Sequence, residues 1–159
     1  MEKFFPLTSD EELRKCFPSC MEKQEKIIHF FNSCTTSETK YQRLIEIGAS
    51  LPVFPKEFEI QENIVQGCQS TMYLHTSFQE HQVIFLAGSE ALISAGLAAL
   101  LIGVYSGEAP ETILKCPPSY IAHLGLRASL TPGRSNGLYS MHLRMKQEAL
   151  KLFIIESKN

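Results

Sequence analysis

The chain has 159 residues, 44% of them hydrophobic and 20% charged, a globular balance that fits one domain and excludes a disordered chain. Its 15 basic and 17 acidic residues leave a net charge of -2, without the basic excess that a nucleic-acid partner requires. The longest apolar stretch, residues 91–105, is broken by Ser94, Gly96 and Gly103 and falls short of the ~20 residues that span a bilayer, so no membrane partner is expected.

The first residues carry acids and an early proline where a signal peptide would place a basic start and a long apolar run, so a cytoplasmic location is expected. Residues 11–16 predict a short helix, ended by Phe17-Pro18. Ser19 is expected to cap a second helix over residues 21–31, with Ile27, Ile28, Phe30 and Phe31 on its apolar side. Ser37 is expected to cap a third, carrying Tyr41, Leu44, Ile45 and Ile47, with Gly48 near its end. Leu51-Pro52-Val53-Phe54-Pro55 cannot continue it, since each proline lacks an amide hydrogen and restricts the residue before it.

Residues 57–68 read as a long connection, with a possible third strand over residues 58–65. Strand-favouring runs at 71–78 and 82–87, joined by the polar turn Gln79-Glu80-His81, predict an antiparallel hairpin. Ser89 is expected to cap a helix over residues 90–105, apolar nearly all round and therefore central. Pro110 suits the first turn of the next helix, Cys116-Pro117-Pro118 stops it, and residues 119–126 are expected to be helical. Thr131-Pro132-Gly133-Arg134 reads as a turn before a last amphipathic helix starting at Ser135 or Asn136 and reaching about Phe153. The expected fold class is α+β: a small antiparallel sheet packed against several helices in a single domain. Residues 1–36 form a helical extension of the same globule, and residues 37–156 the main domain.

Five cysteines in a chain without an export signal argue against a disulfide framework. Each thiol is then either buried and inert or placed for chemistry. Gln66-Gly67-Cys68-Gln69-Ser70 stands out: Gly67 permits backbone angles closed to other residues, so the next thiol can project from a turn. The surrounding amides, with no acid within five residues, are expected to stabilise a thiolate. A small residue tucked under the hairpin explains the same residues. Cys16, Cys20 and Cys34 are too irregularly spaced for a structural zinc site, and Cys116 precedes two prolines at a helix end. An inert role is the simpler reading for all four: packing for Cys116, and packing or an oxidation buffer for Cys16, Cys20 and Cys34.

His75, His123 or His142 would be the partner of Cys68 in a cysteine hydrolase. Such nucleophiles usually start a helix, whereas a strand follows Cys68. The plainer expectation puts His75 and His81 on the hairpin surface and His123 and His142 on polar helix faces. Arg134 beside a helix N-terminus would suit an anion or a partner's carboxylate, or be simply solvated.

Three segments occur in order: Leu44-Ile45-Glu46-Ile47-Gly48-Ala49-Ser50-Leu51-Pro52, Asn63-Ile64-Val65-Gln66-Gly67-Cys68-Gln69-Ser70, and Leu130-Thr131-Pro132-Gly133-Arg134-Ser135-Asn136-Gly137-Leu138. Together they resemble the SufE/CsdE family, sulfur acceptors for cysteine desulfurases in iron–sulfur cluster assembly, over residues 41–149. The resemblance implies a SufE/IscU-like fold and makes Cys68 the persulfide acceptor. It puts Gln66, Gly67 and Gln69 in support of the loop and Arg134 near it, at partner engagement. Glu90 stands where many relatives carry an acid; a helix cap explains it equally. The implied partners are a SufS/CsdA-like desulfurase and an iron–sulfur scaffold or other sulfur-receiving complex. Pyridoxal phosphate is implied on the desulfurase and no cofactor or metal on this chain. The protein would stimulate its desulfurase without independent turnover. The alternatives are an IscU-like scaffold holding a nascent cluster, which needs several clustered ligands, and the cysteine hydrolase.

Overall fold

The computed structural model describes residues 9–158. Residues 1–8 and 159 lie outside it, and with them the start of the expected extension and most of the stretch on which the missing export signal rests.

Helix α1 (Asp10–Cys16) starts at Ser9, whose hydroxyl accepts from the Glu12 amide, and carries three acids in its first turn and Arg14 and Lys15 in its last. Both placements favour the helix dipole. Pro18 then opens α2 (Pro18–Phe31) at the position where a missing amide hydrogen costs nothing. Ser19 is therefore inside the helix and caps nothing; its hydroxyl donates to Glu108 at 2.9 Å. In α3 (Ser37–Ala49) the cap is Thr36, one residue before the expected Ser37, because Thr36 and Thr39 satisfy each other's amides in a capping box.

The chain after α3 corrects the expected third strand. Residues 58–65 hold a 3-10 turn ending at Phe58 (Lys56–Phe58) and a second turn (Gln61–Asn63), tied by Asn63 donating to the Phe58 carbonyl at 2.8 Å. Within this segment Ile64 and Val65 pair, across to Tyr73 and Met72. The aromatic side chains are covered by stacking: Phe54 on Tyr73 with ring centres 5.8 Å apart, and Phe58 on His75 at 3.6 Å. Burial is met through side chains, and the backbone is free to turn.

Strands β1 (Tyr73–Gln79) and β2 (Gln82–Gly88) form the expected hairpin, in register from Tyr73 opposite Gly88 to Gln79 opposite Gln82. Glu80 and His81 both have positive φ, the twist that two-residue hairpin turns prefer. Val83, Phe85 and Ala87 alternate inward onto α4 (Leu92–Tyr105), the buried hub that also packs on α2, α3 and α7 (Pro132–Ser157). It starts two residues later than expected: the Ser89 hydroxyl accepts from the Ala91 amide ahead of it, and Glu90 stays exposed outside it. Helices α3 and α4 meet so closely that a Cβ on Gly48 would stand 2.7 Å from the Gly96 nitrogen. At the other end of α4, Lys23 Nζ donates to the Ser106 carbonyl at 3.1 Å and pairs with buried Glu108 at 2.7 Å.

Helix α5 (Pro110–Lys115) runs as expected, but α6 (Tyr120–His123) is a single turn, ending before Gly125 at φ +64. In α7 the Thr131 hydroxyl accepts from the Arg134 amide and Pro132 is the first helical residue. The segment read as a free turn is the cap and first turn of a helix of 26 residues.

Candidate functional site

The loop holding Cys68 is closed at its base by the Val65 amide donating to the Met72 carbonyl at 2.9 Å, so residues 66–71 bulge from the root of the hairpin. Gly67 stands at φ +90, a conformation that side chains resist, so it uses the backbone freedom expected of it. From Gln69 back to Glu62 the chain runs antiparallel along α7. The Cβ position of Gly133 lies 2.6 Å from Gln69 Oε1, and that of Gly137 lies 3.8 Å from Cys68 Sγ. A Cβ on Gly67 would run into Ser140. Farther along, Arg144 donates to the Ile64 carbonyl at 3.1 Å and to the Glu62 carbonyl, and pairs with Glu148 at 3.0 Å.

Cys68 is half-buried at a cavity of about 20 Å³ walled by Met72, Leu97, Ala98, Leu138 and Met141. Its thiol, a weak donor, points to the Gly137 carbonyl at 3.8 Å. Burial pushes the thiol's pKa up from the ordinary value. The expected thiolate is thus corrected: the sulfur faces a carbonyl, burial disfavours its charged form, and the resting group is a neutral thiol. Arg134 lines the same cavity, so the structure brings it together with Cys68 and Gln69. Gln66 is exposed and does not line the cavity.

On the other side of the loop, Ser70 and Thr71 border an open cleft of about 790 Å³ between the hairpin, the chain after α3 and the approach to α4. Among the described residues, Glu59 and Glu90 are the charged ones that line it.

The remaining thiols sit elsewhere. Cys16 is exposed, which corrects a packing role for it, while Cys20, Cys34 and Cys116 are buried. The Gln24 amide reaches Cys20 Sγ at 3.7 Å and Cys116 Sγ at 3.6 Å. A hydrogen bond from Cys116 lowers the Cys20 pKa, and the same pairing together with burial raises that of Cys116. No histidine lines the Cys68 cavity. His81 pairs with Glu156, and His75 lies under Phe58. His142 is not on a polar face: it stacks on Tyr105 with ring centres 5.4 Å apart, and its buried Nε2 has no partner. Burial, with Lys146 nearby, lowers its pKa to about 4.

Residues 25–149 match the family model of SufE, described as an Fe-S metabolism associated domain. The chain belongs to the SufE family. It is 36% identical over 131 residues to the SufE-like protein 1, chloroplastic/mitochondrial, of Arabidopsis thaliana, covering 82% of this chain and 35% of the relative. This chain therefore spans about a third of that relative's length. An uncharacterized SufE-like protein of Synechocystis is 34% identical, with 79% of each chain covered. The solution structure of a hypothetical protein from Thermus thermophilus superposes with a TM-score of 0.69 at 28% identity, covering 83% of this chain and 96% of the other. The α+β SufE-like fold expected from the motifs is the one observed, and family membership places the chain in iron–sulfur metabolism. Among the described residues no helix is long and apolar enough to cross a membrane.

Sequence reasoning missed Ser140 and Arg144. The signal was present in the spacing of Gly133, Gly137, Ser140 and Arg144, which steps along one helix face by four, three and four residues.

Proposed function

We propose that the protein accepts sulfur from a pyridoxal-phosphate-dependent cysteine desulfurase onto Cys68, stimulates that enzyme, and hands the sulfur to an iron–sulfur scaffold or similar recipient. The observation that carries this reading is the placement of Cys68: a half-buried thiol at an apolar cavity, on a loop with Gly67 at positive φ and closed at its base by the Ile64–Tyr73 and Val65–Met72 pairs. Such a thiol is quiet at rest and becomes an ordinary nucleophile when the loop opens, because leaving the cavity removes the penalty on its charge. In the transfer, the Cys68 thiolate attacks the outer sulfur of the donor's persulfide. A new sulfur–sulfur bond forms at Cys68, the donor's bond breaks, and the donor cysteine leaves as a thiolate. Shelter in the cavity slows the oxidation that consumes exposed thiolates.

The chain contributes the thiol and its loop; pyridoxal phosphate works in the partner, and this chain uses no cofactor of its own. Gln69 and Arg134 support the loop from the cavity side. Residues 37–156 form the acceptor domain and residues 1–36 an extension of it, and the protein acts in the cytoplasm. A scaffold role finds no support in the side chains, since among the described residues no three His, Cys, Asp or Glu converge on a possible metal position. A hydrolase would need a base, and no histidine lines the Cys68 cavity.

The test is Cys68→Ser. Incubated with a cognate desulfurase and free cysteine, the wild-type protein gains about one sulfur at Cys68 by mass spectrometry and raises sulfide release under reductant. The variant does neither while keeping its melting curve. Full stimulation by the variant, or the added sulfur on Cys16 or Cys34, overturns the reading.

A further inference from the structure

We infer that Arg144 is a positioning residue that holds the Cys68 loop shut. Its guanidinium uses three nitrogens on three acceptors: Nε on Glu148 Oε1 at 3.0 Å, Nη1 on the Ile64 carbonyl at 3.1 Å, and Nη2 on the Glu62 carbonyl. Its side chain is 23% exposed and that of Glu148 20%, so the pair is shielded better than an ion pair on open surface. Ile64 and Glu62 belong to the strand of chain that enters the loop. One residue later comes the Val65–Met72 hydrogen bond on which the loop closes. That bond and the Ile64–Tyr73 bridge beside it are a short backbone pairing at the base of the loop. Arg144 fixes the two carbonyls just ahead of it to α7, the same helix that carries Gly137 and Ser140 under Cys68 and Gly67. The segment is thereby fastened to α7 at residues 62 and 64 and lies close along the same helix as far as Gln69. The planar, forked guanidinium suits this task; a lysine ammonium at the same place cannot meet three acceptors in three directions.

Releasing the clamp frees the segment around residues 61–65, weakens the Val65–Met72 closure, and shifts the loop toward its open form. Cys68 then reaches solvent more often and titrates nearer an ordinary thiol. The clamp matters for function only through the sulfur-acceptor reading, yet its test needs no partner, so the two fail separately.

The experiment compares wild type, Arg144→Met and Arg144→Lys in native buffer with iodoacetamide, scoring each cysteine by peptide mass spectrometry. Cys20 and Cys116, 0% and 1% exposed, report global loosening, and exposed Cys16 reports reagent reactivity. Losing charge-assisted hydrogen bonds is expected to speed Cys68 labelling by about tenfold in Arg144→Met. Cys16, Cys20 and Cys116 keep their wild-type rates. The midpoint of the Cys68 pH–rate profile moves down, and amide exchange quickens over residues 61–72. Arg144→Lys, with charge but no fork, lies between the two. Unchanged Cys68 labelling in Arg144→Met overturns the inference, as does acceleration of Cys20 and Cys116 in step with Cys68.

Discussion

Replacing Gly67 by alanine strains the closed loop and leaves the open loop unaffected. At φ +90 a side-chain-bearing residue pays for a left-handed conformation, roughly 1–2 kcal/mol. The added Cβ also meets Ser140, whose hydroxyl can rotate away but whose own Cβ, 3.2 Å off, is fixed to α7. The total therefore sits at the upper end, about 2 kcal/mol, which corresponds to a roughly thirtyfold rise in the open population. When opening is fast relative to the reagent, the labelling rate follows that population. Iodoacetamide should then modify Cys68 about thirty times faster in Gly67→Ala, with Cys20 and Cys116 still protected. Adding Ser140→Gly removes the clash and not the backbone strain, so the double variant should fall back only part of the way. Wild-type labelling in Gly67→Ala would refute the hinge; so would a double variant that returns fully to the wild-type rate, since backbone strain would then contribute nothing.

Two further outcomes test the packing around the C-terminal end of α4. His142, neutral in the fold with a pKa of about 4, takes up its proton near 6.5 once unfolded. The unfolded chain therefore binds the proton first as pH falls, and stability complete above about 6.5 is lost progressively toward pH 4. His142→Phe keeps the stack on Tyr105 and removes the unpartnered Nε2, so it should gain about 1 kcal/mol at pH 7 and flatten that slope. Urea midpoints at pH 7 and pH 5 decide this; equal losses in both proteins speak against it. Glu108→Ala strands Lys23 beside the end of α4 and removes the acceptor of Ser19. Because the Lys23 side chain is 29% exposed and can turn to water, the loss should be about 2 kcal/mol, below the ~3–5 of a fully buried pair. Thermal melting should drop by roughly 4–8 °C, and Glu108→Gln, which retains the Ser19 bond, by less.

The hairpin and the central helix were legible because their periods are unambiguous: Val83, Phe85 and Ala87 alternate, and residues 96–101 are buried without a break. Cys68 stood out as the candidate from the glycine before it and the polar residues around it. Its protonation state was not, because desolvation depends on Met72, Leu97 and Met141 arriving from three separate elements. The start of α7 was misread since Pro-Gly usually marks a turn, whereas here Thr131 supplies the cap and Pro132 the first helical residue. Residues 58–65 have strand-like composition, yet Phe58 finds its cover on His75, and nothing then favours extension. Arg144 reads as one more cation on a charged helix. Its spacing from Gly133, Gly137 and Ser140 marks the helix face it shares with them, but not its acceptors, which are main-chain oxygens 80 and 82 residues away.

The row of Gly133, Gly137, Ser140 and Arg144 makes the first half of α7 a ruler against which residues 62–69 are measured off. Each residue of an α-helix advances about 100° and 1.5 Å, so a single insertion between Gly137 and Arg144 would swing the guanidinium to another azimuth. The glycines would stay under the cysteine while the fastening vanished. The spacing of these four positions is therefore as strict a requirement as their chemistry, and length changes in this helix belong beyond Glu148, where the ruler has no more marks.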